Sequence, residues 1–158
     1  MQKITPCLWF DTQGEEAANF YTTVFKNSKI LDVARYGAAG PGAEGTVMTV
    51  SFELDGQKFV ALNGGPHFTF NEAVSFQVSC ETQDEVDYFW GNLSQGGEEG
   101  PCGWLKDKYG VSWQIVPTAL VELIGDPDPE RSQAAMTAML GMRKIDIEAL
   151  RRAVEQVA

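Results

Sequence analysis

The chain has 158 residues, of which 44% are hydrophobic and 22% charged, which suits one domain or two small modules that share a core. Its formal net charge of −10 disfavours nucleic acids and anionic membrane surfaces as partners, because an acidic surface repels phosphate groups. No apolar run approaches the roughly 20 residues that a membrane-spanning helix needs.

The first half predicts the order strand, helix, strand, strand, strand. The predicted elements are a strand at Ile4–Phe10, a helix at Glu15–Phe25, and strands at Lys29–Tyr36, Thr46–Leu54 and Lys58–Leu62. Pro6 cannot donate to a ladder, so the first strand should have a free edge or a break there. Asp11 and Thr12 are candidate caps of the helix. Gly37–Gly45 is a flexible connector, and Asp55-Gly56 is typical of a hairpin turn.

The pattern restarts after Asn63–Pro66, a junction rich in helix and strand breakers. A predicted strand at Ala73–Cys80 precedes a helix from Thr82 to Leu93, and Thr82 and Glu85 have the spacing of a capping box. Gln95–Gly100 is predicted as a loop, with no convincing strand where a repeat of the first half requires one. The order of elements still indicates a weak internal duplication.

The segment Cys102–Pro117 is predicted as a hairpin. Trp104-Leu105 and Val111–Val116 are short apolar runs that fit a half-buried sheet. They flank the polar turn Asp107–Gly110, whose last residue, Gly110, adopts positive φ easily.

Gln114 is unusual because it lies inside an otherwise apolar strand. Strand side chains alternate, so Trp113 and Ile115 should point to one face and Gln114 and Val116 to the other. A buried glutamine must find hydrogen-bond partners. Either a ligand or a water-filled cleft supplies them, or a neighbouring side chain or solvent does so on an exposed face.

The chain changes character after Pro117. Ala119–Ile124 and Pro129–Leu140 are predicted to be helical, and Asp146 is predicted to cap a last amphipathic helix. These segments predict a helical extension over residues 118–158, packed either on the back of the sheet or on a partner subunit. Its apolar content argues against a detached regulatory arm.

Five segments carry a resemblance to a known family. They are ITPCLWFD at Ile4–Asp11, AANFY at Ala17–Tyr21, GGPHFTFNEAVSF at Gly64–Phe76, DKYGVSWQIVP at Asp107–Pro117 and MRKIDIEAL at Met142–Leu150. The sequence resembles the vicinal oxygen chelate superfamily of glyoxalase I, bleomycin-resistance proteins and extradiol dioxygenases. Within it, the sequence is most similar to the PhnB-like branch that also bears the name 3-demethylubiquinone-9 3-methyltransferase.

The resemblance implies an α+β fold. Two βαβββ modules, at about residues 1–63 and 73–117, would form a curled mixed sheet with a cleft within a domain of residues 1–117. We expect a homodimer, because a curled two-module sheet leaves edges and apolar faces that need covering. The fold alone implies little about function, since it hosts many chemistries.

The name of the branch raises the question of methyl transfer. Binding of S-adenosylmethionine usually needs a glycine-rich turn after a strand and before a helix. The only glycine-dense stretch, Gly37–Gly45, lies between two predicted strands and opens no helix. The residues therefore do not predict a methyltransferase.

The resemblance also implies four metal-ligand positions, which fall near Ile4–Pro6, Leu62-Asn63, Ala73 and Gln114. None of them holds a histidine or a carboxylate, and an amide is a poor ligand for zinc or iron. We therefore predict no metal and no cofactor. The lone histidine, His67, is either a surface or loop residue of the junction or an acid/base group at the mouth of the cleft.

Cys7, Cys80 and Cys102 are too few, and odd in number, for a disulfide framework. The N-terminus lacks the basic-then-apolar pattern of a secretory signal, so we expect a cytoplasmic protein with reduced thiols. Cys80 and Cys102 are either small buried hydrophobes or neighbouring reactive thiols.

Two functional classes stay open. The first is a protein that binds a small apolar or aromatic molecule in the cleft without a metal, as bleomycin-resistance members do. The second is an enzyme acting on a small carbon skeleton, such as a lyase, an isomerase or, by family name only, a methyltransferase. The predicted ligand-binding residues are Gln114, Asn63, His67, Trp9, Phe76 and Trp104.

Overall fold

The computed structural model describes residues 2–157, which form two compact units, one up to Phe70 and one from Asn71. The first unit contains β1 (Cys7–Phe10), α1 (Gly14–Val24), β2 (Lys29–Arg35), β3 (Val47–Leu54) and β4 (Gln57–Asn63). The second contains β5 (Ser75–Cys80), α2 (Gln83–Ser94), β6 (Glu98–Glu99), β7 (Trp104–Lys106), β8 (Ser112–Pro117), α3 (Thr118–Ile124), α4 (Pro129–Leu140) and α5 (Ile147–Glu155).

Each unit contains a βαβββ module with the same strand order. The strand order is β1-β4-β3-β2 in the first sheet and β5-β8-β7-β6 in the second. In each sheet, the first strand of the module pairs in parallel with its fourth, β1 with β4 and β5 with β8. The predicted α+β class and the predicted internal duplication are therefore confirmed. The prediction of a loop throughout Gln95–Gly100 is wrong, because Glu98–Glu99 pairs with β7 as a short edge strand.

In the first unit, α1 covers one face of the sheet. Ala17, Ala18 and Tyr21 on the helix are fully buried, and Tyr21 stacks on Phe52 of β3. β1 begins after Pro6, whose carbonyl accepts a hydrogen bond from Val60 N, as expected for a proline that cannot donate to the ladder.

The start of α1 differs from the prediction. The N-cap is Gln13, and its side chain makes no cap hydrogen bond, so Asp11 and Thr12 are not caps. Instead, Oδ1 of Asn63, at the end of β4, accepts a hydrogen bond from Gly14 N at 2.8 Å. A side chain distant in sequence thus satisfies one of the open N–H groups of the first turn.

In the second unit, α2 packs on one face of the sheet. Thr82 accepts a hydrogen bond from Glu85 N, as the capping-box spacing predicts. Trp113 and Ile115 are buried on the helix-facing side, whereas Gln114 and Val116 are half-buried on the other, so the predicted alternation is confirmed. Gly110 has φ +89° in the predicted turn.

The C-terminal helices pack on the second unit. Leu120, Ile145 and Leu150 form their buried core. The segment Met142–Ile147, which we call the strap, connects α4 to α5 and contacts the rest of the unit through its backbone. Met142 O and Arg143 O accept hydrogen bonds from the backbone N–H groups of Cys102 and Gly103 at 2.8 Å.

Gln83, the first residue of α2, contacts the strap as well. Its side-chain amide donates to Ile145 O at 3.0 Å and accepts from Ile147 N at 2.9 Å. Lys144 adds an ion pair with Asp87 of α2 at 2.8 Å. Among residues 2–157, no helix is long and apolar enough to cross a membrane.

Candidate functional site

The face of the second sheet opposite α2 is polar, and we call it the polar face. Pairing in register places its side chains in two rows across the strands. One row contains Ser75, Ser112, Lys106 and Glu98, and the other contains Gln77, Gln114 and Trp104. Alternation along each strand puts both rows on the same side of the sheet.

Gln114 lies at the centre of this face and bonds to side chains on the neighbouring strand. Its Nε2 donates to Ser75 Oγ at 2.9 Å, and its Oε1 accepts a longer hydrogen bond from Gln77 Nε2 at 3.4 Å. Both of these hydrogen-bond partners are neutral and polar. The structure thus gives Gln114 neighbouring side-chain partners, while its predicted role toward a ligand stays a prediction.

Trp104 is the aromatic residue of the polar face. It is half-buried at the start of β7 and pairs in register with Gln114. Gly100, whose N–H donates to Trp104 O, lies beside it, and a Cβ there would come 2.9 Å from that oxygen. An indole next to an amide on one sheet face gives a flat apolar surface with hydrogen-bonding groups at its edge.

Lys106 brings positive charge to the polar face. Its Nζ lies 2.7 Å from Oε1 of Glu72, which precedes β5 in a turn. The hydrogen bond and charge of Glu72, together with the charge of Glu98, raise the pKa of Lys106. The same hydrogen bond to Lys106 lowers the pKa of Glu72.

Ser112 lies between Ser75 and Lys106 in its row. Its side chain is 1% exposed, and its Oγ has no hydrogen-bond partner among residues 2–157. A buried hydroxyl without a partner is uncommon and carries a desolvation cost, so a native structure usually has a reason for it.

Three of the predicted ligand-binding residues lie in the first unit. Trp9 donates from Nε1 to Gly65 O at 2.9 Å and meets the ring of Phe68 edge to face at 4.9 Å. His67 is exposed in the loop after β4. The structure does not test their roles as ligand-binding residues.

Asn63 is also in the first unit, and its side-chain amide has protein partners on both sides. Oδ1 accepts from Gly14 N, and Nδ2 donates to Val47 O at 3.2 Å. Its backbone oxygen accepts from the hydroxyl of Tyr36 at 2.5 Å. These bonds give Asn63 a structural role, and its predicted contact with a ligand stays a prediction.

The other three predicted residues lie in the second unit. Trp104 and Gln114 share the polar face. Phe76 pairs in register with Trp113 on the helix-facing side, where their rings lie 5.5 Å apart. Phe76 and Gln114 therefore point to opposite faces of one sheet.

The sequence analysis missed Ser75, Gln77, Ser112 and Lys106. A signal was present: β5 reads SFQVSC and β8 reads SWQIVP, and both carry polar residues at alternate positions. Two parallel strands with matching alternation predict a shared polar face.

The three cysteines are free thiols. Cys80 is fully buried, and its burial, with the nearby charge of Glu85, raises its pKa to about 11. Cys7 is exposed at the start of β1, and partial desolvation raises its pKa. Neither thiol has the depressed pKa of a reactive nucleophile.

The resemblance to metalloenzymes of this fold implies a metal at the position of Gln114. Its surroundings supply an amide and a hydroxyl, from Gln77 and Ser75, rather than imidazole, thiolate or carboxylate. These neutral donors do not fit zinc or iron. Within residues 2–157 there is no group of three His, Cys, Asp or Glu side chains placed to hold a metal ion.

Comparison with known proteins identifies the family. The model of the 3-demethylubiquinone-9 3-methyltransferase family matches residues 2–116. The chain belongs to this family. The chain is also similar to proteins of solved structure, whereas no curated protein matches it.

The chain is 43% identical to a PhnB protein from Bacillus cereus. That protein is described as a proposed 3-demethylubiquinone-9 3-methyltransferase. The similarity covers 73% of this chain and 99% of the Bacillus protein, with a TM-score of 0.66. Protein PA1353 from Pseudomonas aeruginosa is 17% identical, with a TM-score of 0.63 and coverage of 74% and 98%.

The fosfomycin resistance protein FosX from Listeria monocytogenes, solved with Mn(II) and sulfate, shares the fold. It is 11% identical, covers 84% of this chain and 96% of its own, and has a TM-score of 0.52. The vicinal oxygen chelate-type fold that the resemblance implies is therefore confirmed. The family match ends at residue 116, so the C-terminal helices lie outside it.

Proposed function

We propose that this PhnB-like protein binds a small planar molecule on the polar face, without a metal. The observation that carries the proposal is the pairing of Trp104 and Gln114 in adjacent strands, which gives a ring surface beside a fixed amide. Aromatic rings with a few fixed polar groups are what small-molecule sites commonly present.

The arrangement around Gln114 supports binding rather than metal-assisted chemistry. Ser75 and Gln77 hold the amide from the neighbouring strand, so its orientation is set before a ligand arrives. A preorganised group loses little conformational freedom on binding. The neutral donor set at this position does not supply ligands for a metal.

Methyl transfer, which the family name proposes, finds no support in the glycine-rich segment. It joins β2 to β3 and wraps the ring of Tyr36, where a Cβ on Gly42 would come 2.4 Å from the ring. These glycines therefore serve close packing on an aromatic ring, which differs from the strand-turn-helix context of a nucleotide-type site.

The test is a titration of the full chain with a small planar probe. Binding is monitored by the four tryptophan indole N–H signals in NMR spectra, each of them assigned by substitution of one tryptophan. We expect naphthalene-2-carboxamide or a related planar probe to shift the Trp104 signal. Trp104→Ala, in which binding is followed by the signals of the probe itself, should abolish binding. Gln114→Leu should weaken binding about tenfold, as expected for loss of a hydrogen bond. Tyr88→Ala, at an exposed aromatic residue of α2 on the other side of the second sheet, is the control and should leave binding unchanged.

Two results would overturn the proposal. One is that no planar probe, whether neutral or charged, shifts the Trp104 signal. The other is that binding disappears after dialysis against a chelator and returns with zinc or manganese. Mass spectrometry of the protein under native conditions would identify a ligand retained through purification.

We also propose a homodimer. In the first unit, Ile4 and Phe68 are 84% and 65% exposed, and large exposed apolar side chains are typical of surfaces that another subunit covers. Light scattering should give twice the 17.3 kDa chain mass across micromolar concentrations, and a monomer throughout that range would refute the proposal.

A further inference from the structure

We propose that the ligand of the polar face carries a carboxylate, which replaces the side chain of Glu72 on Lys106 and accepts hydrogen bonds from Ser112 and Ser75. This inference rests on the proposed function and adds the chemical class of the ligand.

The hydrogen bonds of the polar face run in one direction. Gln77 donates to Gln114, and Gln114 donates to Ser75. Ser75 Oγ is thereby used as an acceptor, and it donates no hydrogen bond to another group of residues 2–157. A hydroxyl can donate once as well as accept, so this chain of donation ends on a hydrogen that needs an acceptor.

The same row contains two further donors. Ser112, the register partner of Ser75, has a buried hydroxyl without a partner among the described residues. Lys106, the register partner of Ser112, has an ammonium group that can only donate. Ser75, Ser112 and Lys106 thus place three donors side by side, and an acceptor-only oxygen group complements them. An ionised carboxylate is such a group.

A carboxylate of the protein itself, that of Glu72, already pairs with one of these donors, Lys106. Glu72 lies 2.7 Å from Lys106, yet its side chain is 61% exposed. Exposed ion pairs contribute little, because water and salt screen them. Glu72 also sits in a turn outside the sheet, whereas Lys106 is in a strand, so Glu72 can leave and be hydrated while the lysine stays in place.

Glu98 opposes an anion at this position, since it faces Lys106 from β6. Its side chain is at the exposed edge strand, where water screens its charge. The hydroxyls of Ser75 and Ser112 lie on the other side of Lys106, away from β6. The geometry therefore places the carboxylate over the Ser112 side of the lysine.

The experiment compares three probes of equal shape: naphthalene-2-carboxylate, naphthalene-2-carboxamide and naphthalene-2-carboxamidine. The full chain is titrated with each at pH 7.5, and binding is followed by the Trp104 indole signal. We expect the carboxylate to bind about tenfold more tightly than the carboxamide, because charge-assisted hydrogen bonds are the stronger ones, and the amidine to bind more weakly than both.

Substitutions separate displacement from general electrostatics. Glu72→Gln should tighten carboxylate binding about threefold by removing the competing group, and leave carboxamide binding unchanged. Lys106→Met should abolish the preference for carboxylate. Asp87→Asn and Lys144→Met are the controls, because they make the same charge changes in the ion pair between α2 and the strap. Neither should change carboxylate binding or the preference for carboxylate.

The outcomes distinguish the inference from the proposed function. If all three probes bind equally at Trp104, the carboxylate assignment is wrong and the binding function stands. If Glu72→Gln has no larger effect than Asp87→Asn, displacement of Glu72 is wrong. If none of the probes shifts the Trp104 signal, the binding function and the carboxylate assignment both fail.

Discussion

The carboxylate of Asp107 accepts a hydrogen bond from the indole nitrogen of Trp113 at 2.9 Å, and both side chains are about 3% exposed. The other carboxylate oxygen, Oδ1, accepts from the backbone N–H groups of Tyr109 and Val111 at 2.9 and 3.0 Å. One buried acid thus organises the turn between β7 and β8 and fixes the indole beneath the polar face.

Asp107→Ala should therefore destabilise the protein strongly. It leaves three donors without this acceptor, two of them backbone groups, and we expect a loss of about 3 kcal/mol or more in urea unfolding. Asp107→Asn keeps the shape and one good acceptor, so its loss should be smaller. Asp146→Ala removes an exposed helix cap and should cost only about 1 kcal/mol. Equal effects of Asp107→Ala and Asp146→Ala would contradict this account.

A pair of glycines gives a second prediction. A Cβ on Gly14 would lie 2.8 Å from Oδ1 of Asn63, whereas one on Gly91 would meet nothing within 4 Å. Gly14→Ala should displace the Asn63 amide and destabilise by about 1–2 kcal/mol, because that amide caps α1 and bonds to Val47.

Gly91→Ala is the matched control, since Gly91 lies in the interior of α2. It should stabilise by about 0.5–1 kcal/mol, because alanine loses less backbone freedom in a helix. Thermal and urea unfolding of both variants would check the two signs. A neutral Gly14→Ala would show that Asn63 does not restrict this position.

The reactivity of the thiols gives a third prediction. Cys7 is exposed and Cys80 fully buried. At pH 8, iodoacetamide should label Cys7 in the native protein and reach Cys80 only after unfolding in urea, as peptide mass spectrometry would show. Rapid native labelling of Cys80 would contradict the burial that raises its pKa to about 11.

The raised pKa of Cys80 also determines how the stability of the protein changes with pH. The pKa of Cys80 is raised in the folded state above its ordinary value of 9.0. The stability that comes from keeping the thiol neutral is therefore fully present below about pH 9 and is lost as the pH rises through about 11. Cys80→Ala should show a smaller loss of stability across that range than the parent protein.

Much of the fold was readable from the sequence, because hydrophobic periodicity and turn residues act locally. The alternation of Trp113, Gln114 and Ile115 placed each on the correct face, and the proline at position 129 predicted the start of a helix that the structure confirms from Pro129 to Leu140. These features depend on a few neighbouring residues, which is why local patterns predict them.

The rest depends on contacts between residues far apart in the chain. Asn63 caps a helix 49 residues away, and no local pattern announces it, so Asp11 and Thr12 were the better local candidates. Glu98–Glu99 has no strand propensity and pairs only because β7 offers an edge. Lys106 was overlooked as a site residue because its row appears only when β7 and β8 are aligned.

The strap gives the last prediction. Gln83 bonds to Ile145 O and Ile147 N through one amide, and the strap in turn accepts hydrogen bonds from the turn that precedes Trp104. Gln83→Leu removes these two bonds, and the bond of the same amide to Asp87, while keeping the size of the side chain. It leaves a backbone donor and a backbone acceptor of the strap without that partner. We expect hydrogen exchange to rise in the strap, in α5, and at Cys102 and Gly103, which donate to the strap.

Gln57→Leu is the control, because its side chain bonds only to the adjacent Lys58 O in the first unit. If Gln83→Leu raised exchange in α5 alone and left Cys102 and Gly103 as protected as in the parent protein, the strap would not hold the turn beside the polar face.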